Sequence, residues 1–248
     1  MNKLVFLNVN KHYKSIHALK NFSFSFDNGV YGIIGPNGAG KSTLLNLLSS
    51  NLQPDKDGGE ILWNNNPIDK LGKEYRKKIG FMPQQQDLYS NMTAFDFLGY
   101  MAALKNITRK QIKPEISRVL SCIELSEFSN KKIGEFSGGM KQRLLIAQAL
   151  LGDPDIIIMD EPTAGLDPKQ RIILRNLTEE LSKNKIIIVS THIISDIESI
   201  ANEILLLRSG TLITHGSIEC LVNQIEHEEK NLENLYMKYF GGKTNAES

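Results

Sequence analysis

Hydrophobic and polar positions alternate in the first part of the chain. In residues 1–10, hydrophobic and polar residues alternate after a short apolar run. In a second run, which ends just before the turn pair Asn28-Gly29, phenylalanines alternate with serines. A period of two is typical of strands with one buried face, so this region predicts antiparallel strands up to about residue 27. The phenylalanines of the second run are Phe22, Phe24 and Phe26.

Short runs of consecutive apolar residues predict strands that are buried on both faces further along the chain. Such runs lie at 30–34, 155–159 and 185–190, and two more short strands are predicted at 60–63 and 78–82. An amphipathic helix lies between the runs at 155–159 and 185–190, which predicts a βαβ unit. The apolar positions of that helix are Ile173, Leu177 and Leu181.

The middle of the chain has a helical and more polar pattern. Residues 92–136 lack β-branched runs, and Pro114 is expected near the start of one helix. A further helix is predicted at 139–151, with Ser137 as its N-cap and with its apolar residues along one stripe. We interpret this region as a helical lobe inserted into an α/β domain. The stripe consists of Met140, Leu144, Ala147 and Leu151.

Composition limits the classes of function that the chain can have. The 248 residues allow one large α/β domain or two small ones, and we expect one. A formal net charge of +1 gives no general electrostatic reason to bind nucleic acid, so no nucleic-acid partner is expected. No apolar run approaches the roughly 18 residues that a membrane-spanning helix needs. Cys122 and Cys220 lack metal-type spacing, fit a reducing compartment and are interpreted as structural.

A glycine-rich segment after the strand at 30–34 reads GPNGAGKST and matches the P-loop pattern. Glycines let backbone N–H groups surround an anion, and the N-terminus of the following helix adds its positive dipole. Lys41 would reach the β- and γ-phosphates, and the Ser42 hydroxyl would bind Mg²⁺. The sequence therefore predicts a nucleotide site. Its cradle comprises Gly35, Pro36, Asn37, Gly38, Ala39, Gly40, Lys41, Ser42 and Thr43.

Two carboxylates end the strand at 155–159, in the run IIIMDE. A nucleotide hydrolase needs such groups at the edge of the sheet that carries its phosphate loop. Asp160 would hold Mg²⁺, and Glu161 would polarise the attacking water as the general base. A strand that ends in a solvated acidic turn is the alternative, which the neighbouring P-loop disfavours.

The run FSGGMKQR at 136–143 resembles the signature motif of the ATP-binding cassette (ABC) ATPases. The resemblance covers residues 4 to about 216, with the family's motifs in the expected order. It implies ATP as the nucleotide and an α/β fold of the P-loop NTPase, ABC ATPase type. In that fold a mixed central sheet is flanked by helices, with an N-terminal antiparallel β subdomain and an inserted helical subdomain. We predict a single ABC ATPase domain at 1–222 with the helical subdomain at about 85–150, a C-terminal helical extension at 223–240 and a disordered tail at 241–248.

The resemblance also implies roles for single residues around the nucleotide. Tyr13 would stack on adenine, with His12 and Tyr31 as alternative stacking partners. Gln84, at the end of a strand, would bind Mg²⁺ and link its site to the helical lobe. His192 would contact the γ-phosphate and join Lys41 and Glu161 as a catalytic residue.

A second copy of the ATPase is implied by the signature segment. Its first residues open a helix, so that their N–H groups and a hydroxyl form a second anion site that faces away from the P-loop. The resemblance implies a head-to-tail dimer in which each signature caps the ATP of the other copy, and it places Asp167 in the loop that crosses the interface. We expect a homodimer, with a heterodimer as the alternative. The capping residues are Ser137, Gly138 and Gly139.

The implied function is that of a transporter's ATPase subunit, held at the cytoplasmic face of the membrane by separate integral membrane subunits. Export of a drug, antibiotic peptide or similar molecule is favoured, because GGMKQR and the ending LENLYMKYF resemble the drug and lantibiotic exporter group. The ending fits an amphipathic helix that docks on the domain's own surface equally well. The segment departs from the commonest form LSGGQ at Phe136 and at Met140, which lacks the hydrogen-bonding side chain of glutamine. An importer subunit and a soluble ABC ATPase that acts on ribosomes or DNA are the alternatives.

Overall fold

Two β-sheets and the helices around them form the fold in this computed structural model, which describes residues 2–84, 87–191, 194–198, 200–225 and 230–241. The strands in these ranges are β1 (Leu4–Tyr13), β2 (Ile16–Phe26), β3 (Gly29–Ile34), β4 (Glu60–Trp63), β5 (Asn66–Pro67), β6 (Ile79–Met82), β7 (Ile156–Asp160), β8 (Ile186–Ser190), β9 (Glu203–Arg208) and β10 (Thr211–Gly216). The helices are α1 (Lys41–Leu48), α2 (Ile68–Leu71), α3 (Lys73–Lys77), α4 (Ala94–Leu104), α5 (Arg109–Cys122), α6 (Gly138–Leu150), α7 (Pro168–Ser182), α8 (Ile194–Glu198), α9 (Ile218–Val222) and α10 (Leu232–Phe240), with short 3₁₀ turns at Ser126–Phe128 and Ile133–Glu135.

The smaller sheet is antiparallel, in the order β2-β1-β4-β5. Phe22 and Phe26 of β2 are buried while Ser23 is exposed, as the predicted alternation requires, whereas Phe24 and Ser25 are both half-buried. The first strand continues to Tyr13, beyond the predicted end at residue 10, because it forms a tight hairpin in which Tyr13 pairs with Ile16.

The larger sheet has the order β10-β9-β3-β8-β7-β6, in which only β10 is antiparallel to its neighbour. Its central strands are buried on both faces. Ile156 and Ile158 face one hydrophobic cluster, which also contains α1, and Ile157 and Met159 face the other, which contains the helical lobe. The βαβ unit formed by β7, α7 and β8 is confirmed. The ends of β3, β7 and β8 consequently lie along one edge of the sheet.

The helices α4, α5 and α6 form the helical lobe. The prediction of a single buried stripe on α6 was wrong, because every residue from 144 to 150 is buried. This helix is enclosed by α4 and α5 on one side and by β6 and β7 on the other. Pro114 lies inside α5 rather than near its start, since the N-cap of this helix is Thr108.

The C-terminal part of the chain returns to the domain's own surface. Leu232 and Leu235 of α10 are buried against the same cluster as the helical lobe. Residues 242–248 of the tail predicted to be disordered lie outside the described residues. None of the helices in the described ranges combines the length and apolar character that crossing a bilayer requires.

Candidate active site

The glycine-rich loop joins the end of β3 to the first residue of α1, as the P-loop pattern predicts. Lys41 opens the helix, and its Nζ donates hydrogen bonds to the carbonyl oxygens of Gly35 at 2.6 Å and Pro36 at 3.0 Å. Burial lowers the pKa of the Lys41 ammonium group, and the nearby carboxylates of Glu161 and Asp160 oppose that shift. The Lys41 side chain therefore folds back onto the start of the loop, and its charged group lies within the site.

Glycine is required in this loop for two separate reasons. Gly38 and Gly40 have φ angles of +77° and +106°, which side-chain-bearing residues rarely adopt. Gly35 is required by crowding, because a Cβ there would collide with the carbonyl oxygen of Leu207 in β9. The loop is thus pressed against the end of β9 and kept in one shape.

The predicted cradle residues divide into exposed and buried ones. Asn37, Gly38 and Ser42 are exposed, so the Ser42 hydroxyl in the first turn of α1 is accessible to a ligand. Ala39 and Thr43 are buried and anchor the loop. The helix N-terminus and its N–H groups therefore face an open space suited to phosphate.

The acidic end of β7 lies beside this loop. Asp160 is the last residue of β7 and accepts a hydrogen bond from the Ser190 hydroxyl at the end of β8. Burial raises the pKa of Asp160, and the charge of Glu161 raises it further, while the Ser190 hydrogen bond and Lys41 oppose the shift. A cation bound here would stabilise the ionised carboxylate.

Glu161 is held in a constrained position. It is 6% exposed and has a φ of +53°, in the left-handed region. Its backbone N–H donates to the carbonyl of Ser190 at 2.8 Å, and its Oε2 accepts a hydrogen bond from Oγ1 of Thr191 at 3.0 Å. The side-chain amide of Gln142 in α6 donates to the carbonyls of Glu161 at 3.1 Å and Pro162 at 3.2 Å.

Thr191 and Gln142 are site residues that the sequence reasoning missed. Thr191 directly precedes the predicted His192, and Gln142 lies inside the signature run FSGGMKQR. Their positions next to or within these predicted motifs could have identified both as candidates. The hydrogen bonds that make them relevant cross between separate elements and are visible only in the fold. His192 itself lies outside the described residues.

A cleft of about 980 Å³ brings most of the predicted residues together. Ser42, Gln84 and Asp160 would present hydroxyl, amide and carboxylate oxygens, the ligand types that Mg²⁺ prefers. These oxygen donors therefore fit the predicted Mg²⁺ ion. The predicted residues lining the cleft are Tyr13, Gly35, Pro36, Asn37, Gly38, Ala39, Gly40, Lys41, Ser42, Thr43, Gln84, Asp160 and Glu161.

Of the three aromatic candidates for stacking, Tyr13 is the one that lines this cleft, with 43% of its surface exposed. Tyr31 is buried, and its hydroxyl accepts a hydrogen bond from the N–H of Asp27 at 2.9 Å. His12 contacts Asp55 at 2.7 Å and stacks on His17 with ring centroids 3.8 Å apart. Neither Tyr31 nor His12 is among the described residues that line the cleft.

The signature residues form a separate group. Ser137 caps α6, where its hydroxyl accepts a hydrogen bond from the N–H of Met140 at 3.3 Å. Asp167 caps α7 in a capping box with Gln170, and the Gln170 side chain packs so closely on Gly139 that a Cβ there would meet its Oε1. Among the described residues that line the cleft, none belongs to the signature or is Asp167.

Comparison with known proteins identifies this arrangement. Residues 19–164 match the family described as ABC transporter. The chain belongs to this family. The resemblance inferred from FSGGMKQR is thereby confirmed, and so is the expected ABC ATPase fold.

Relatives of this ABC ATPase domain include transporter subunits of several kinds. An uncharacterized ABC transporter ATP-binding protein of Bacillus subtilis, YxlF, is 35% identical over 86% of this chain and 70% of its own. The Nod factor export ATP-binding protein I of Burkholderia orbicola is 32% identical over 88% of this chain and 71% of its own. ABC transporter A family member 8 of Dictyostelium discoideum is 37% identical over 82% of this chain, which spans only 24% of that protein.

Solved structures of ABC ATPases share the fold. The ATP-binding subunit of an ABC transporter superposes with a TM-score of 0.83 and 26% identity, covering 95% of this chain and 98% of the other. The cassette MJ0796, in a dimeric post-hydrolysis state bound to ADP and Pi, superposes with a TM-score of 0.76 and 31% identity, covering 86% of this chain and 98% of the other.

Proposed function

We propose that this chain binds ATP with Mg²⁺ in the cleft and hydrolyses it to power export through separate membrane subunits. The observation that carries the proposal is the shared cleft, which is lined by the half-buried Lys41, the exposed Ser42 and the two carboxylates Asp160 and Glu161. Phosphate binding and water activation need these groups within one site.

Each residue has a distinct part in the proposed reaction. The loop N–H groups and Lys41 would bind the β- and γ-phosphates, and Ser42, Asp160 and Gln84 would hold Mg²⁺. When bound, Mg²⁺ would neutralise charge that develops on the transferred phosphoryl group. Glu161, oriented by Thr191, accepts the proton of the attacking water, and His192 contacts the γ-phosphate.

A second copy would complete the site. Ser137, Gly138 and Gly139 lie outside the cleft of their own chain, so their N–H groups are available to ATP held by another copy. The dimeric structure of MJ0796 supports this arrangement. Asp167 would then lie in the crossing loop, and hydrolysis would require the closed dimer. We expect two identical copies, with a heterodimer as the alternative.

Integral membrane subunits are the proposed partners, which places the ATPase at the cytoplasmic face of the membrane. The name of the Burkholderia relative, a Nod factor export protein, supports export over import. Copurification with an integral membrane subunit would support the transporter assignment. Association with ribosomes or DNA, without any membrane partner, would refute it.

The catalytic assignment is tested by Glu161→Gln. This change preserves the shape of the side chain but removes the base, so we expect phosphate release to fall by about 10²- to 10⁴-fold while ATP still binds. Size-exclusion chromatography with ATP and Mg²⁺ should then show a stable dimer. Glu180→Gln, at an exposed position of α7, is the control and should keep wild-type turnover. Wild-type turnover in Glu161→Gln would remove this residue from the base role.

The phosphate cradle is tested by Lys41→Ala. The loop then lacks its cation, so both ATP affinity and turnover should be lost in equilibrium binding and phosphate-release assays. Normal ATP affinity in this variant would contradict the proposed cradle.

A further inference from the structure

The C-terminal helix α10 is capped at its start and hydrogen-bonded to the large sheet near its end. Asn231 caps it by accepting a hydrogen bond from the N–H of Asn234 at 2.8 Å. Near its other end, Nη1 of Arg208, the last residue of β9, donates to the carbonyl of Tyr239 at 3.1 Å. The position of this helix is therefore tied to the end of β9, beside the phosphate loop.

Tyr236 of this helix lines the same cleft as the phosphate loop. It is half-buried, and its ring packs on that of Phe240 with centroids 4.6 Å apart. Its hydroxyl has no hydrogen-bond partner in the part of the chain that the structure describes. Tyr236 thus presents part of an aromatic ring and an available hydroxyl to the space in which the nucleotide would bind.

The strand order shows which half of the cleft Tyr236 occupies. Asp160 and Glu161 follow β7, which lies on one side of β3, whereas Ser209 follows β9 on the opposite side. The N–H of Lys20 donates to the carbonyl of Gly210 at 2.7 Å, which joins this β9 turn to β2. The β1–β2 hairpin carries Tyr13, the predicted adenine partner. Ser209 and Tyr236 therefore lie toward the hairpin and away from Asp160 and Glu161.

We propose that the ring of Tyr236 packs against the ribose and base half of bound ATP, so that the C-terminal helix forms part of the nucleotide site. This inference rests on the proposed binding of ATP in the cleft. A nucleotide whose phosphates are held at Lys41, with Mg²⁺ at Asp160, extends its ribose and base toward the hairpin side. An aromatic face at that position binds a base by stacking or edge contact.

The experiment compares Mg²⁺-ATP with Mg²⁺-tripolyphosphate, which has phosphates but no base or ribose. Tyr236→Ala should lose about tenfold in ATP affinity, within the range that base–aromatic stacking contributes, and bind tripolyphosphate normally. Tyr236→Phe retains the ring and should stay within about twofold of the wild type. Tyr239→Ala on the same helix is the matched control, because Tyr239 does not line the cleft among the described residues.

Each outcome separates this inference from the proposed function. Wild-type protein that binds ATP in a Lys41-dependent way, together with unchanged affinity in Tyr236→Ala, would overturn the inference and leave the function standing. Equal weakening in Tyr236→Ala and Tyr239→Ala would also overturn it, since displacement of α10 would then be the cause. Parallel loss of ATP and tripolyphosphate binding in Tyr236→Ala would overturn the assignment to the base half. Wild-type protein that binds neither ligand would refute the proposed function.

Discussion

Gln142 is expected to position the catalytic carboxylate from outside the cleft, and Gln142→Leu tests this. Its amide donates hydrogen bonds of 3.1 and 3.2 Å to the carbonyls of Glu161 and Pro162. Glu161 needs such support, because its φ of +53° costs a side-chain-bearing residue on the order of 1 kcal/mol. Leucine fills a similar volume without any donor, so both hydrogen bonds are lost.

The size of the effect follows from these two bonds. Each contributes about 0.5–1.5 kcal/mol net, or about 1–3 kcal/mol together. If this energy holds Glu161 in its reactive position, its loss raises the barrier by the same amount and lowers kcat by about 5- to 150-fold. The ATP affinity should not change, because Gln142 is absent from the described lining of the cleft.

The assay is phosphate release at saturating ATP, together with equilibrium binding of ATP. Gln142→Glu is the matched variant, since it keeps the shape of the side chain but replaces the donating amide by a carboxylate facing two carbonyl oxygens. It should be at least as slow as Gln142→Leu. Wild-type kcat in either variant would refute the positioning role. Lowered kcat with equally weakened ATP binding and a lower unfolding temperature would show that Gln142 only stabilises the fold.

Three further predictions concern stability and the phosphate loop. Tyr75→Phe removes a buried hydroxyl that donates to the last carbonyl of α1 at 2.8 Å, so urea unfolding should show a loss of about 1–3 kcal/mol, without loss of ATP affinity. Burial lowers the pKa of Lys105 to about 8, so the folded chain binds fewer protons than the unfolded chain above that pH. The free energy of unfolding should rise between about pH 8 and 10 more in the wild type than in Lys105→Met. Gly35→Ala should weaken ATP binding to the single subunit because its Cβ would meet the Leu207 carbonyl, whereas Gly138→Ala, with open space around it, should not.

The sequence was sufficient wherever a short run of residues determines its own geometry. The loop between β3 and α1 needs glycines at positive φ and a lysine at the first helical residue, and both are local features. Strands such as β7 and β8 are continuous apolar runs because both faces are buried, and they were predicted within one residue of their bounds. Order along the chain was then enough to place Asp160 and Lys41 near each other.

The sequence was insufficient where contacts between distant elements decide the structure. The sequence of α6 does not show whether one face of the helix or its whole circumference is buried. Its packing between α4, α5 and the large sheet decides this. The place of Tyr236 in the cleft could not be predicted for the same reason. It lies 195 positions after Lys41, and only the docking of α10 at the end of β9 brings it to the cleft.

The contacts of α6 connect the two nucleotide sites of the proposed dimer. Its N-cap Ser137 would face the ATP of the other copy in the proposed dimer, and its second turn carries Gln142, which donates to the backbone carbonyl of Glu161 in its own chain. At the same end, Gly139 packs on Gln170, which belongs to the capping box of Asp167, the residue expected in the loop that crosses the interface. A closure that moves the start of α6 would therefore act on Glu161, the proposed base, and on the proposed crossing loop. ATP bound at one site would adjust the geometry of the other through a single helix, because interiors packed at this density transmit small shifts rather than absorb them.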